Sequence, residues 1–257
     1  MVGERSNEGS TDSTVGFGER LQELKSRGCA VLVVGAVPSD VHVGLCRRML
    51  GERTDPPRQR LLVFTNGTVT MGSRIPGAGT AAGAGFESGT SPGTNAGVGG
   101  TNGASGAAEG ETHVITTATA RSTASVAGGD RGVPVVDLAG PSLAELGTAI
   151  SEVFEGLERR HGSLEPAQLR FCLDSLSPLL DAHDEAAMFQ FLVLLTGYVR
   201  AMDGMGHFHL PLPRQTYAAR LVAPLFDAVV ELRVGVGEPE HRWHLQEDGV
   251  TSQWLPL

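Results

Sequence analysis

Asp174 closes the apolar run Leu169–Leu173 and is followed by Ser175, Leu176 and Ser177. A carboxylate at the end of a buried strand is costly unless it is paired, solvated or used. Read without a chemical role, it would bond loop amides or cap the next helix. Neither Ser175 nor Ser177 sits in a G-x-S-x-G elbow, so both read as turn and cap hydroxyls. His207 and His209, two apart in "GHFHLPL", share one face of a strand and could bind a metal with His241 or His244. Histidines at that spacing usually line a solvated face, and no third ligand is near in sequence, so no metal is expected. Cys29, Cys46 and Cys172 lie inside apolar segments without ligand spacing. An odd number of such thiols reads as unbridged cysteines in a reducing cytosol, and a cytoplasmic location is expected.

The elements that must position these residues follow from hydrophobic patterning. "CAVLVV" (29–34), "RLLVFTNG" (60–67) and "LRFCL" (169–173) are unbroken apolar runs of strand length, as in strands buried on both faces of a parallel sheet. "VPVVDL" (133–138), "GHFHLPL" (206–212) and "AVVELRV" (228–234) add further strands. Between them lie helical patterns: Phe17, Leu21 and Leu24 stopped by Gly28, then Val41, Leu45 and Met49 behind Ser39 or Asp40 as N-cap. Leu143, Leu146, Ile150, Val153 and Leu157 follow a Ser142/Glu145 capping box. Asp184 caps "EAAMFQFLVLLTGYVRAM", apolar nearly all round and expected to be buried; Asp181 and Asp184 read as solvated turn and cap residues. A short helix falls around 217–221. The tail "RWHLQEDGVTSQW" reads as a hairpin turning at Asp248-Gly249. Strands alternating with helices define an α/β fold: a three-layer, mostly parallel sheet flanked by helices, with an antiparallel C-terminal edge hairpin.

Residues 1–14 are polar and expected to be disordered, leaving a single domain over 15–257. From Gly77 to Asp130 the chain is dominated by Gly, Ala, Thr and Ser, with Phe86 its only aromatic, and is too poor in apolar surface to offset the entropy of ordering. It reads as a disordered insertion, with a short strand allowed at "THVITT"; its Gly-rich "GAGTAAGAG" neither follows a strand nor opens a helix, so it is no dinucleotide fingerprint. The net charge of −9 and the few aromatics argue against nucleic acid, which calls for clustered cations and stacking platforms. Lys25 is the sole lysine, a bias shared by salt-in halophiles and by high-GC genomes. No apolar run is long enough to span a bilayer, so no membrane association is expected.

Two carboxyl-end loops therefore stand out: "GAVPSDVH" after the first strand and "DSLS" after the fourth. With "LRFCLDSLSPLLD", "MFQFLVLLTGYVR" and "LVAPLFDAVVELR", where Asp227 opens the last core strand, the chain from Leu32 to Leu232 resembles the RecA/KaiC-like ATPases. It looks most like small haloarchaeal members of that group. The resemblance implies a P-loop, G-x-x-x-x-G-K-[ST], at Gly35. Only Gly35 matches: Asp40 replaces the second glycine, Val41 the lysine and His42 the hydroxyl residue that would hold magnesium. Phosphoryl transfer rests almost wholly on electrostatic stabilisation, so hydrolysis at such a loop is disfavoured and Asp174 reads as structural.

The expectation is a pseudo-ATPase with no cofactor, serving as a regulatory or scaffolding module, as in signalling, with a protein partner; self-association stays open. The rival is an ATPase or nucleotide sensor holding ATP and Mg through Gly35, Asp40, His42, Asp174 and Ser175. The resemblance further implies that Leu169–Leu173 runs parallel beside Ala30–Val34, central and buried, with Asp174 facing Asp40 across a short gap. If these strands are not neighbours, or are antiparallel, the resemblance and that explanation of Asp174 fall together on this ground.

Overall fold

A computed structural model of the chain describes residues 9–51, 57–66, 74, 110–117 and 133–257. Its nine-stranded sheet runs in the order β4-β3-β2-β5-β6-β1-β7-β8-β9. The strands are β1 (Cys29–Val34), β2 (Gln59–Phe64), β3 (Thr112–Thr116), β4 (Val135–Asp137), β5 (Leu169–Leu173), β6 (Met205–Leu210), β7 (Ala228–Val234), β8 (Pro239–Leu245) and β9 (Leu255–Pro256). From β4 to β7 every pairing is parallel; β7–β8 and β8–β9 are antiparallel. The expected α/β class with a parallel sheet and an antiparallel C-terminal edge is what the chain adopts.

Helices cover both faces. One face carries α3 (Leu143–His161), α4 (Ser177–Ala182), α5 (Glu185–Ala201) and α6 (Tyr217–Val222); Leu146, Ile150, Phe154, Leu192 and Val199 pack there on Leu32, Leu61, Phe171 and Phe208. The other face carries α1 (Gly9–Ser26) and α2 (Ser39–Leu50), with Leu24, Val41 and Leu45 over Val31, Val33 and Val230. Alternate residues of β1 thus enter different cores, which is why its run is unbroken. The caps at Ser142 and Asp184 form as expected, with side chains accepting from the amides of Glu145 and Ala187. At α2 the residue in the N-cap position is Pro38, with no side-chain cap, rather than Ser39 or Asp40.

Several expectations change. β5 does not lie beside β1: β6 is inserted between them and bonds to both. Apolar runs report burial on two faces but carry no information about lateral order. The helix α1 reaches back to Gly9, inside the stretch 1–14 expected to be disordered. Within 77–130, Gly110–Thr117 is ordered, and β3 pairs with β2 on one side and β4 on the other. The allowed strand at "THVITT" is therefore a member of the main sheet; the remainder of 77–130 and residues 1–8 lie outside the described residues. Helix α5 is not wholly buried: Phe189 and Val193 are about half exposed and Leu194 is 74% exposed. It packs on the sheet with its inner stripe only. Finally, the expected turn at Asp248-Gly249 is present, with the Leu245 amide donating to the Val250 carbonyl and the Ser252 amide to the Trp243 carbonyl, and a further hairpin, β7–β8 through Gly235–Glu238, precedes it.

Candidate functional site

The carboxyl edge of the β1–β6–β5–β2 segment brings the two loops together around a buried polar cluster. Gly35 leaves β1 with φ 144°, and a Cβ there would meet the Leu232 carbonyl oxygen at 2.6 Å. Its glycine identity is thus accounted for by the close approach of β7. The Gly35 amide donates to the Leu212 carbonyl (2.9 Å) and the Val41 amide to the Pro38 carbonyl (3.1 Å), so neither is free to face an anion. Asp40 is exposed, whereas Val41 is buried in the apolar core under α1 and α2.

His42 is 3% exposed and turns inward. Its Nε2 lies 2.9 Å from the Gly35 carbonyl oxygen and its Nδ1 3.1 Å from Nδ1 of His209. A carbonyl only accepts, so His42 carries its proton on Nε2 and offers a lone pair at Nδ1. His209 must then donate from Nδ1, which leaves its Nε2 unprotonated. That atom is buried without a hydrogen-bond partner. Burial lowers the pKa of both rings, most strongly that of His209, and the nearby Arg74 charge lowers them further, which keeps both neutral.

Below this pair the cluster continues. Along α2, Cys46 follows His42 by one helical turn and reaches the same strand. His207 and His209 share a face of β6, and Cys172 on β5 is in register with His207. Cys46 Sγ lies 3.2 Å from Cys172 Sγ and 3.2 Å from His207 Nε2. One ligand atom from each of Cys46, Cys172, His207 and His209 lies within 4.8 Å of every other. Arg74 adds a guanidinium with Nη1 3.9 Å from Cys172 Sγ. Burial pushes both thiols up; for Cys46, the hydrogen bond from Cys172 and the His207 imidazole beside it outweigh burial and the net shift is downward, while Cys172 is left high. Cys29, apart from this group, is pushed up to about 12 by burial and is inert.

Asp174 is buried, and its Oδ1 accepts from the Thr65 amide at 2.7 Å. The Thr65 hydroxyl lies 3.0 Å from the same oxygen and 2.5 Å from the Ser175 carbonyl. Burial raises the carboxyl to about 6 against the Arg74 charge and the Thr65 and Asn66 donors, which favour its ionised form. Ser175 is buried and its Oγ accepts from the Ser177 amide at 3.3 Å. The structural reading of Asp174 thus fits as a bond to a loop amide, not as a helix cap. The expected like-charge approach of Asp40 and Asp174 is replaced by something different: Asp40 faces solvent, and β6 with its histidines fills the space between the loops.

His241 and His244 do not join the cluster. They sit on β8, where His244 Nε2 lies 3.0 Å from Glu231 Oε2 and Nδ1 3.1 Å from Thr251 Oγ1. Asp227 is likewise structural, with Oδ2 accepting from the Ala30 amide (2.8 Å) and Arg200 Nε (2.9 Å). The sequence reading saw the His207/His209 half of the cluster and missed both cysteines and the inward His42. The usable signal was the i, i+4 pair His42/Cys46, a second stripe on α2 beside Val41 and Leu45.

Fold and site together define a mostly parallel α/β protein whose first βα loop leads, through the inward His42, to a buried thiol–imidazole cluster. Residues 28–97 and 90–232 match the model of a family of unknown function, DUF7504, and the chain belongs to that family. No curated protein matches it.

Proposed function

We propose that this protein is a non-catalytic regulatory or scaffolding module of RecA/KaiC-like type, which works by binding another protein and not by turning over a nucleotide. The observation that carries this reading is His42, buried where a phosphate loop would place its magnesium-binding hydroxyl and bonded on both ring nitrogens to protein. With Val41 in the core and the Gly35 and Val41 amides paired, the loop lacks the lysine and the metal-binding hydroxyl of a phosphate loop. The expected adjacency of β1 and β5 is absent, which removes the ground the sequence reading set for the RecA/KaiC-like part; that part of the proposal is carried only by the parallel β1–β6–β5 core with both loops at its carboxyl edge. The exposed apolar ridge of Phe189, Val193 and Leu194 on α5 supports a protein-binding role, since water-facing side chains of this size in contiguity mark contact surfaces.

An ATP-turnover assay tests the reading. Wild type and Asp174→Asn are both expected at background. Turnover in the wild type that the Asn variant abolishes would overturn the proposal in favour of an active ATPase using Asp174.

A further inference from the structure

We propose that Cys46, Cys172, His207 and His209 are the four ligands of a closed site for one divalent ion of the zinc class. The donor set suits the ion: two thiolates and two imidazoles are borderline-soft ligands that select zinc over magnesium or calcium. The geometry suits it as well. In a tetrahedral site with Zn–S of about 2.3 Å and Zn–N of about 2.0 Å, ligand atoms stand roughly 3.3–3.8 Å apart. Here every pair is within 4.8 Å, and the Cys46–Cys172 and Cys46–His207 pairs are at 3.2 Å.

Three further observations point the same way. His209 Nε2 is a buried lone pair without a partner, and its tautomer is set by the relay from the Gly35 carbonyl through His42. Fixing an imidazole through its far nitrogen is what outer partners of metal-bound histidines do. The four ligands come from three packed elements, α2, β5 and β6, and each is at most 1% exposed. That leaves no open position for water, so the site is structural: it clamps α2, and with it the Gly35 loop, onto the sheet. Charge also balances. On binding, the thiols give up their protons to solvent and two thiolates offset the ion's two positive charges. Arg74 is then matched by Asp174, with which it interacts. A Cys46–Cys172 disulfide is the competing use of the sulfurs, but it would leave His209 Nε2 unpartnered.

The test uses the full chain, reduced and stripped with a chelator, and titrated with Co²⁺. Expected are the ligand-field bands of tetrahedral cobalt and thiolate-to-cobalt charge-transfer bands, saturating at one equivalent and displaced by Zn²⁺. Cys172→Ser should lower the charge-transfer intensity by about half, and His42→Ala should keep the bands but weaken binding roughly 10–100-fold. Should Cys172→Ser fail to fold, zinc measured in the protein as purified, with Cys46 and Cys172 protected from alkylation until chelator is added, decides instead. Folded wild type that takes up no cobalt with thiolate bands, or protein purified with a Cys46–Cys172 disulfide, would overturn the site. Neither result touches the closed-loop reading, which is tested with nucleotide.

Discussion

Asp174 is the residue from which a chemist would start, and the bonds it makes are those of a splint. Its Oδ1 holds the Thr65 amide at the end of β2, beside the Ser175 carbonyl that Thr65 also contacts. Removing the acceptor strands a buried N–H, which costs about 1–3 kcal/mol. Asp174→Ala should therefore lower the thermal midpoint by several degrees, while Asp174→Asn, which keeps an oxygen in place, should lie much nearer wild type. Equal losses in the two variants would mean that charge, not the hydrogen bond, is what the fold requires. At this scale the sequence was partly legible. An aspartate ending a buried run had to be explained, and bonding to loop amides was one of the explanations available. The thiol–imidazole cluster was not legible, because Cys46, Cys172 and His207 are separated by long stretches of chain and acquire a spacing only when α2 lies across β5 and β6.

Among the elements, the β7–β8 hairpin is pinned by Glu231, whose Oε2 accepts from Arg242 Nη2 at 2.8 Å and lies 3.0 Å from His244 Nε2. Burial pushes this carboxyl up, but the Arg242 and His244 hydrogen bonds and the Arg214 and Arg242 charges outweigh it, so it stays below its ordinary 4.5. A carboxyl lowered in the folded state adds stability that is present above its unfolded pKa and lost as pH falls through the folded one. Glu231→Gln should thus cost roughly 0.5–1 kcal/mol near neutral pH, a figure kept small because the group is partly solvated, and the deficit should shrink below about pH 4.5. A deficit constant with pH would show that shape, not charge, holds the hairpin. Strand β3 makes a second expectation. Because it pairs with β2 and β4, deleting Gly110–Thr117 should abolish cooperative unfolding, monitored by circular dichroism. A variant that melts as wild type would show the sheet to be complete without it. Composition marked that stretch as part of a disordered insertion since Gly, Ala, Ser and Thr dominate its surroundings; the five residues of β3 are too few to shift such an average. The double-sided strands were easy to find for the opposite reason: β1, β2 and β5 are buried at every position. Their order was not, since pairing is set by helix crossovers that periodicity does not encode.

Taken whole, the molecule carries a net charge of −9 with one lysine, and that excess repels itself at low ionic strength. Molar salt should raise the thermal midpoint through screening. A midpoint independent of salt would assign the composition to codon bias. No helix among the described residues is long and apolar enough to cross a membrane. The central claim, that the first βα loop is shut against nucleotide by His42, is met most directly by calorimetric titration of the full chain with Mg-ATP at high salt. The expected result is no saturable heat for wild type. A one-site isotherm approaching one nucleotide per chain, weakened by Asp174→Asn, would contradict it and return the Gly35 loop to the nucleotide-binding class.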